Sequence, residues 1–311
     1  MGAPTGTFLT TAAIGNREDL ADAIYRISPT ATPVLSMAAK TTATNTIHQW
    51  QTQALATAVS NNIQNEGYDA TGKTVTPTVK LLNYCQISSK TVVVSGTQRA
   101  MNPAGRKDEL GYQVGLAAAE LKRDMEMSIN ILGVAATAPR QSRGMRGWLA
   151  DNVNRNGGTL ASYTANGGVG TDYSEGTQRA FTETQVKDVL QQCFTAGGMP
   201  DKIILPPAHK QTFSTFTGNA TRTVMADAAK LSASVDFYKS DFGTLEVIPE
   251  IFMDTNDAFF LQADKWAVAY LRPFTTETLA KTGDADTRML IVEWTLEAKA
   301  PNANGAVFDI V

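Results

Sequence analysis

Residues Gly67-Tyr68-Asp69-Ala70-Thr71-Gly72-Lys73-Thr74 spell GxxxxGK[ST], the pattern of a loop that cradles nucleotide phosphates. A chain of this length meets that pattern by chance only about once in a hundred times, so its context must be tested. The chemistry needs a buried strand before the loop and a helix after it, because backbone N–H groups and the helix N-terminus hold the phosphates. Neither is expected here. Ser60 to Glu66 is polar, Val75 to Val79 alternates and is broken by Pro77, and no apolar strand ending in a magnesium-binding Asp stands out downstream. The segment reads instead as a flexible glycine-rich loop tip, with a P-loop nucleotide hydrolase kept as the alternative from another function class.

The other reactive side chains are sparse. His48 and His209 have no His, Cys or carboxylate neighbour at metal-ligand spacing, and each reads as a structural or surface histidine. Cys85 and Cys193 stand far apart without a CxxC partner, which argues against zinc and against a disulfide framework. There is no GxSxG elbow, and no chain order suggests a Ser/His/Asp set. Glu183 with Asp188 reads as helix-start charge, and Asp284 with Asp286 as a solvated hairpin tip. No catalytic residue, metal or cofactor is expected, and the chain is read as a structural protein and not an enzyme.

The elements that would position these residues follow from patterning. Asn16 to Ile27 reads as a short helix capped by Asn16 and ended by Pro29 and Pro33. From Thr41 to Lys80 only Glu66, Asp69, Lys73 and Lys80 are charged, while Thr, Asn, Gln and Ala dominate. The stretch is too polar for a core and too uncharged for a free tail. It predicts a long two-stranded excursion over Ile47 to Val59 and Val75 to Val79, tipped near Gly67 to Gly72, with a further strand in Asn83 to Gly96. Asp108 to Leu132 is the strongest helix, with Leu110, Val114, Ala117, Leu121, Met125, Ile129 and Leu132 on one stripe. Within it, Gly111 and Gly115 weaken the helix and are read as marks of close approach by a neighbour. A glycine-rich region, Arg143 to Gly176, follows with Trp148 as its anchor. Then come a helix at Thr184 to Ala196, a strand at Lys202 to Leu205, and a hairpin of Thr275 to Leu279 with Met289 to Ala298. No segment repeats at a fixed period, which removes solenoids and propellers.

The 27 basic and 30 acidic side chains leave no footprint for tight phosphate binding. Charged residues are 18% of the chain, below the roughly 25% usual for soluble proteins, as expected if much surface is covered by other subunits. No secretory signal, myristoylation pattern or membrane-length apolar run is read, so a protein made in the cytoplasm, with no membrane contact, is expected.

Three stretches carry a family likeness: Asn16-Arg17-Glu18-Asp19-Leu20-Ala21-Asp22 with Ile27-Ser28-Pro29-Thr30-Ala31-Thr32-Pro33; Val94-Ser95-Gly96-Thr97; and Gly105-Arg106-Lys107-Asp108-Glu109. With the order of elements, they resemble the Hong Kong 97-type major capsid proteins of tailed bacteriophages, specifically over about residues 14 to 130 and by architecture beyond Gly133. The resemblance implies an α+β capsid fold. Its parts would be an N-terminal arm (1–45), an extended loop with flanking strands (46–98), a peripheral domain with a long spine helix and a glycine-rich loop (99–183), an axial domain (184–270), and a peripheral-domain hairpin with a C-terminal return (271–311). It implies self-assembly into hexamers and pentamers of an icosahedral head around double-stranded DNA bound without sequence specificity. Portal, scaffold or decoration proteins of the same phage would be further partners, and the virion its location, after assembly in the host bacterial cytoplasm. Gly67, Tyr68, Gly72 and Lys73 at the loop tip, and Gly283, Asp284 and Asp286 at the hairpin tip, are the expected assembly contacts. Some members weld their shells through a Lys–Asn isopeptide bond; Lys73 sits where such a lysine would be, without a matching Asn or Glu. An encapsulin-like compartment, which packages enzymes, is the alternative on the same fold.

Ordering about thirty loop residues costs on the order of 30 to 60 kcal/mol of backbone freedom. Recovering half of that needs roughly 600 to 1,200 Å² of apolar burial, more than a thin hairpin can hide against itself. The loop is therefore expected to find its partner on another subunit.

Overall fold

Asp108 starts the central helix by accepting hydrogen bonds from the amides of Leu110 and Gly111, both at 3.1 Å. The computed structural model describes residues 31–70, 72, 74–101, 108–163, 170–216, 237–281 and 283–311. In it this spine helix runs Glu109–Ile131, within a residue of expectation at each end. At 1.5 Å per residue it is about 34 Å long. Leu110, Ala117, Leu121, Met125 and Ile129 are buried, so the apolar stripe read in the sequence is the face that packs. The expected helix Asn16 to Ile27 lies outside the described residues, as do Gly105 to Lys107.

The spine helix lies against a four-stranded sheet ordered Ala39–Thr42, Trp266–Thr278, Ala285–Ala298, Gln86–Ser95. Its two central strands form one long hairpin. They start earlier than the sequence indicated: Trp266 to Ala269 and Leu290 to Leu296 are buried, with Trp266, Val268, Leu290, Val292, Trp294 and Leu296 in the core shared with the spine helix. The distal halves leave the core, and Arg272 to Thr278 are exposed. Strand Trp266–Thr278 runs unbroken through residue 270.

A second, six-stranded sheet is ordered Asn152–Asn154, Gly305–Val307, Ala258–Leu261, Lys202–Leu205, Gly243–Pro249, Phe237–Ser240. Its central strands Lys202–Leu205 and Ala258–Leu261 are buried on both faces, which explains the continuous apolar runs Ile203-Ile204-Leu205 and Ala258-Phe259-Phe260-Leu261. Ile204, Phe259 and Leu261 face a core shared with the spine helix, Trp148 and Trp294. Ile203, Leu205 and Phe260 face a second core under the helix Glu183–Thr195. Strand alternation thus divides one sheet between two cores. The segment after Leu205, read without a fold assignment, is the helix Pro207–Phe213, started by a proline whose missing N–H no helical bond needs.

Buried charge ties these layers together. Glu126, inside the spine helix, accepts from the amides of Val34 (2.7 Å) and Leu35 (2.8 Å) and so docks the short helix Pro33–Met37. Burial, with the Glu250 carboxyl hydrogen-bonded beside it, pushes Glu126 up to about 8. Arg146 reaches Asp254 (2.7 Å) and Asp257 (2.6 Å) and lies over the Tyr173 ring. Tyr173 in turn donates to Asp309 at 2.9 Å, which fastens the glycine-rich region to the C-terminal strand.

Candidate assembly surfaces

The extended loop begins where a two-stranded ladder ends. Ile47–Thr52 pairs antiparallel with Val79–Tyr84, Ile47 opposite Tyr84 and Thr52 opposite Val79. The root is well anchored: Trp50 donates its indole N–H to the Ala298 carbonyl at 2.9 Å, and His48 Nε2 lies 3.2 Å from Glu297. The strands were expected to reach Val59 on one arm and Val75 on the other. They stop at Thr52 and Val79, and the last cross-arm bonds are side-chain ones, Gln53 Nε2 to the Thr76 carbonyl (3.0 Å) and Thr78 Oγ1 to Gln51 Oε1 (2.9 Å). The physical reason is that among the described residues no layer covers these arms, and a bare two-stranded ribbon is marginal in water.

Every described residue from Gln53 to Val79 is exposed. That includes Leu55 at 98%, Val59 at 71%, Ile63 at 80% and Val75 at 82% exposure. A single exposed aliphatic residue needs no explanation, but a series along one uncharged arm marks a contact surface. These residues were not singled out in the sequence as contacts. Their signal was present in their spacing of four in a stretch without charge from Gln53 to Asn65.

Of the expected loop-tip residues, Gly67 and Tyr68 fall in a tight turn, with the Tyr68 amide donating to the Asn65 carbonyl at 3.1 Å. Gly67 has φ 80°, which its lack of a Cβ permits. Gly72 is exposed, and Lys73 lies outside the described residues. The surroundings do not form a phosphate cradle: the arm before the turn is not a strand, and Thr74 to Thr78 is not helical.

At the other tip Gly283 and Asp284 are exposed, as a contact would require. Asp286 differs from the solvated tip residue expected. It sits inside strand Ala285–Ala298, its carboxylate bound by Lys281 (2.6 Å) and by Arg99, and these cations hold it below the usual carboxylate range. Its charge is satisfied within the subunit. The Gly96 amide donates to the Asp284 carbonyl at 3.1 Å, so the hairpin tip is braced against the strand that follows the extended loop.

Among the described residues there is no group of three or more His, Cys, Asp or Glu side chains placed to hold a metal ion. His209 Nε2 lies 2.6 Å from the Thr255 carbonyl, and burial lowers its basicity. Both cysteines are buried and free, their thiols pushed up by burial, Cys85 to about 11 and Cys193 to about 12.

The fold has counterparts in known proteins. The family model described as SU10 major capsid protein matches residues 4–311. The major capsid protein of Escherichia phage Phieco32 is 27% identical over 332 aligned positions, covering 94% of each chain. Among solved structures, the capsid asymmetric unit of cyanophage A-1(L) superposes with TM-score 0.65 at 15% identity, over 97% of this chain and 98% of that one. The holo-SrpI encapsulin complex from Synechococcus elongatus PCC 7942 gives TM-score 0.55 at 10% identity, over 95% and 92%.

Proposed function

Because this chain belongs to the SU10 major capsid protein family, and so is a major capsid protein of tailed phages with the Hong Kong 97-type fold, we propose that its copies form the hexamers and pentamers of an icosahedral head, each laying its extended loop across a neighbour. The observation that carries this reading is the exposed aliphatic series Leu55, Val59 and Ile63 on an arm that joins no ladder among the described residues of its own subunit. Burying such side chains is the main source of association free energy, and the absence of charge on the arm removes the penalty of desolvating ions.

The peripheral domain of the proposed subunit is the spine helix with the four-stranded sheet, and the axial domain is built on the six-stranded sheet. The exposed hairpin tip at Gly283 and Asp284 would meet a neighbouring capsomer. Inside such a head the double-stranded DNA would be held by confinement, since 27 basic against 30 acidic residues gives the wall little attraction for phosphate. Portal, scaffold or decoration proteins would complete the particle, assembled in the host cytoplasm.

The test is expression of the chain alone and with its neighbouring phage genes, followed by sedimentation and negative-stain imaging. Closed shells of uniform diameter are expected. A compact monomer under all conditions, with the 53–78 loop folded back on its own body, would overturn the proposal. The encapsulin likeness supplies the second reading, and shells that fill with a co-expressed enzyme in place of DNA would favour it.

A further inference from the structure

The strand Gln86–Ser95 is an edge. It pairs with Ala285–Ala298 on one side, and among the described residues no strand pairs on the other. The direction of its backbone groups can be read from the two ends of the ladder. Gly96 N–H bonds to the Asp284 carbonyl, so even-numbered residues aim their N–H and C=O groups at the hairpin. Cys85 N–H goes the other way, to the Thr46 carbonyl at 2.8 Å, so odd-numbered residues aim outward. The ladder that Ile47–Thr52 makes on this outward side ends there. Beyond it the outward groups of Ile87, Ser89, Thr91 and Val93 run on without a paired strand, and all four residues are exposed, Ile87 at 50% and Val93 at 61%.

A long edge of this kind is a template for another strand. The usual guards are missing on its outward positions, which carry neither charge nor proline. The strand's one charge, Lys90, is engaged with Asp124 of the spine helix at 2.8 Å. The same chain carries a segment that matches this edge: Gln53 to Asn65 has no charge, no proline and no glycine, is fully exposed, and belongs to no strand of its own subunit. In an extended conformation Leu55, Thr57, Val59, Asn61 and Ile63 would share one face, because side chains alternate along a strand. The Thr-Pro-Thr of the returning arm, at 76–78, suits such a ladder less well.

We propose that residues 53–65 of a second copy add as a fifth strand to this edge, pairing with the outward backbone groups of Ile87, Ser89, Thr91 and Val93. The inference rests on the shell reading and gives the loop a specific seat. Main-chain bonds would supply attachment, and the aliphatic face of the arm would extend the exposed Ile87 and Val93 surface.

Residue-resolved hydrogen exchange on the free subunit and on assembled shells tests it. In the free subunit the amides of Ser88, Lys90 and Val92 are expected to be protected and those of Ser89, Thr91 and Val93 to exchange freely. In shells the second set is expected to slow by at least about tenfold, which gives protection at every position. Thr91→Pro removes one outward N–H that the subunit's own ladder does not use, and proline is tolerated on an edge. Its subunit should fold and melt like the unaltered chain yet fail to form shells, whereas Thr91→Val should assemble. Cysteine pairs joining Ser89 or Thr91 to Thr57, Val59 or Asn61 should give intermolecular disulfides in shells. Shells in which Ser89, Thr91 and Val93 exchange as fast as in the free subunit would overturn the pairing while leaving the capsid reading intact. So would normal assembly of Thr91→Pro. Crosslinks from the edge to any segment other than 53–65 would overturn the assigned occupant. Failure of the unaltered chain to form shells would instead count against the capsid reading.

Discussion

The triple variant Leu55→Ala, Val59→Ala, Ile63→Ala separates the energy of assembly from the stability of the subunit. In the free chain these side chains are 98%, 71% and 80% exposed, so truncating them removes almost no packing. The subunit's melting temperature should move by less than about 2 °C. In a shell the same truncation deletes eight carbon atoms from the contact. At about 0.8 kcal/mol per fully buried carbon that is about 6 kcal/mol, and about 3 kcal/mol if the arm is half covered. The lower figure corresponds to roughly a 150-fold rise in the concentration at which shells appear. Light scattering across a dilution series, with sedimentation to confirm closed particles, reads this threshold. An unchanged threshold would refute the argument that these residues bury on a neighbour. A melting temperature several degrees lower would show that they already pack within their own subunit.

Three further outcomes follow from the interior. Glu126 is raised from 4.5 to about 8, so the folded subunit keeps a proton that the unfolded chain releases; the stability this contributes is complete below about pH 4.5, declines as pH rises, and is gone above about pH 8. Urea midpoints from pH 5 to 9 should fall accordingly, and Glu250→Gln, which supplies the bridging hydrogen permanently, should flatten the curve. Arg146→Met leaves Asp257 buried without its cation and should cost about 3 to 5 kcal/mol in urea unfolding, much of it recovered when Asp257→Asn is added. Gly115 has open space where a Cβ would stand, so Gly115→Ala should stabilise the subunit by up to about 1 kcal/mol; a simultaneous loss of shell formation would show that a neighbouring copy comes close there.

How much of this could be read from the chain depends on where each residue finds its partner. The spine helix was legible because its period, its Asp108 cap and its burial all agree. So were Glu183–Thr195 and Lys202–Leu205, whose apolar residues are satisfied close by. The long hairpin was seen short, because the buried run from Trp266 owes its strand to a partner some thirty residues away. Asp286 was misplaced for a related reason. A carboxylate near a turn looks solvated until Arg99, far away in sequence, is brought beside it by the ladder with Gln86–Ser95. Glu126 gave no sign at all, since nothing in a helical stripe tells that one carboxylate will dock the amides of Val34 and Leu35.

The extended loop inverts this rule. Its low charge stands out in the sequence, and the turn-rich centre Asn65 to Gly72 between its two flanks points to a pair of strands. Among the described residues no sheet continues along the loop: the arms leave the ladder at Thr52 and Val79, and the aliphatic residues beyond are exposed. One edge strand of the same molecule meanwhile has, among the described residues, no strand paired on its outward side. An uncharged arm outside any sheet and a sheet edge whose outward positions carry no charge lie on one chain, and in the proposed shell they join between copies. On that proposal, the exposed aliphatic series in residues 53–65 is information about the assembly more than about the single subunit.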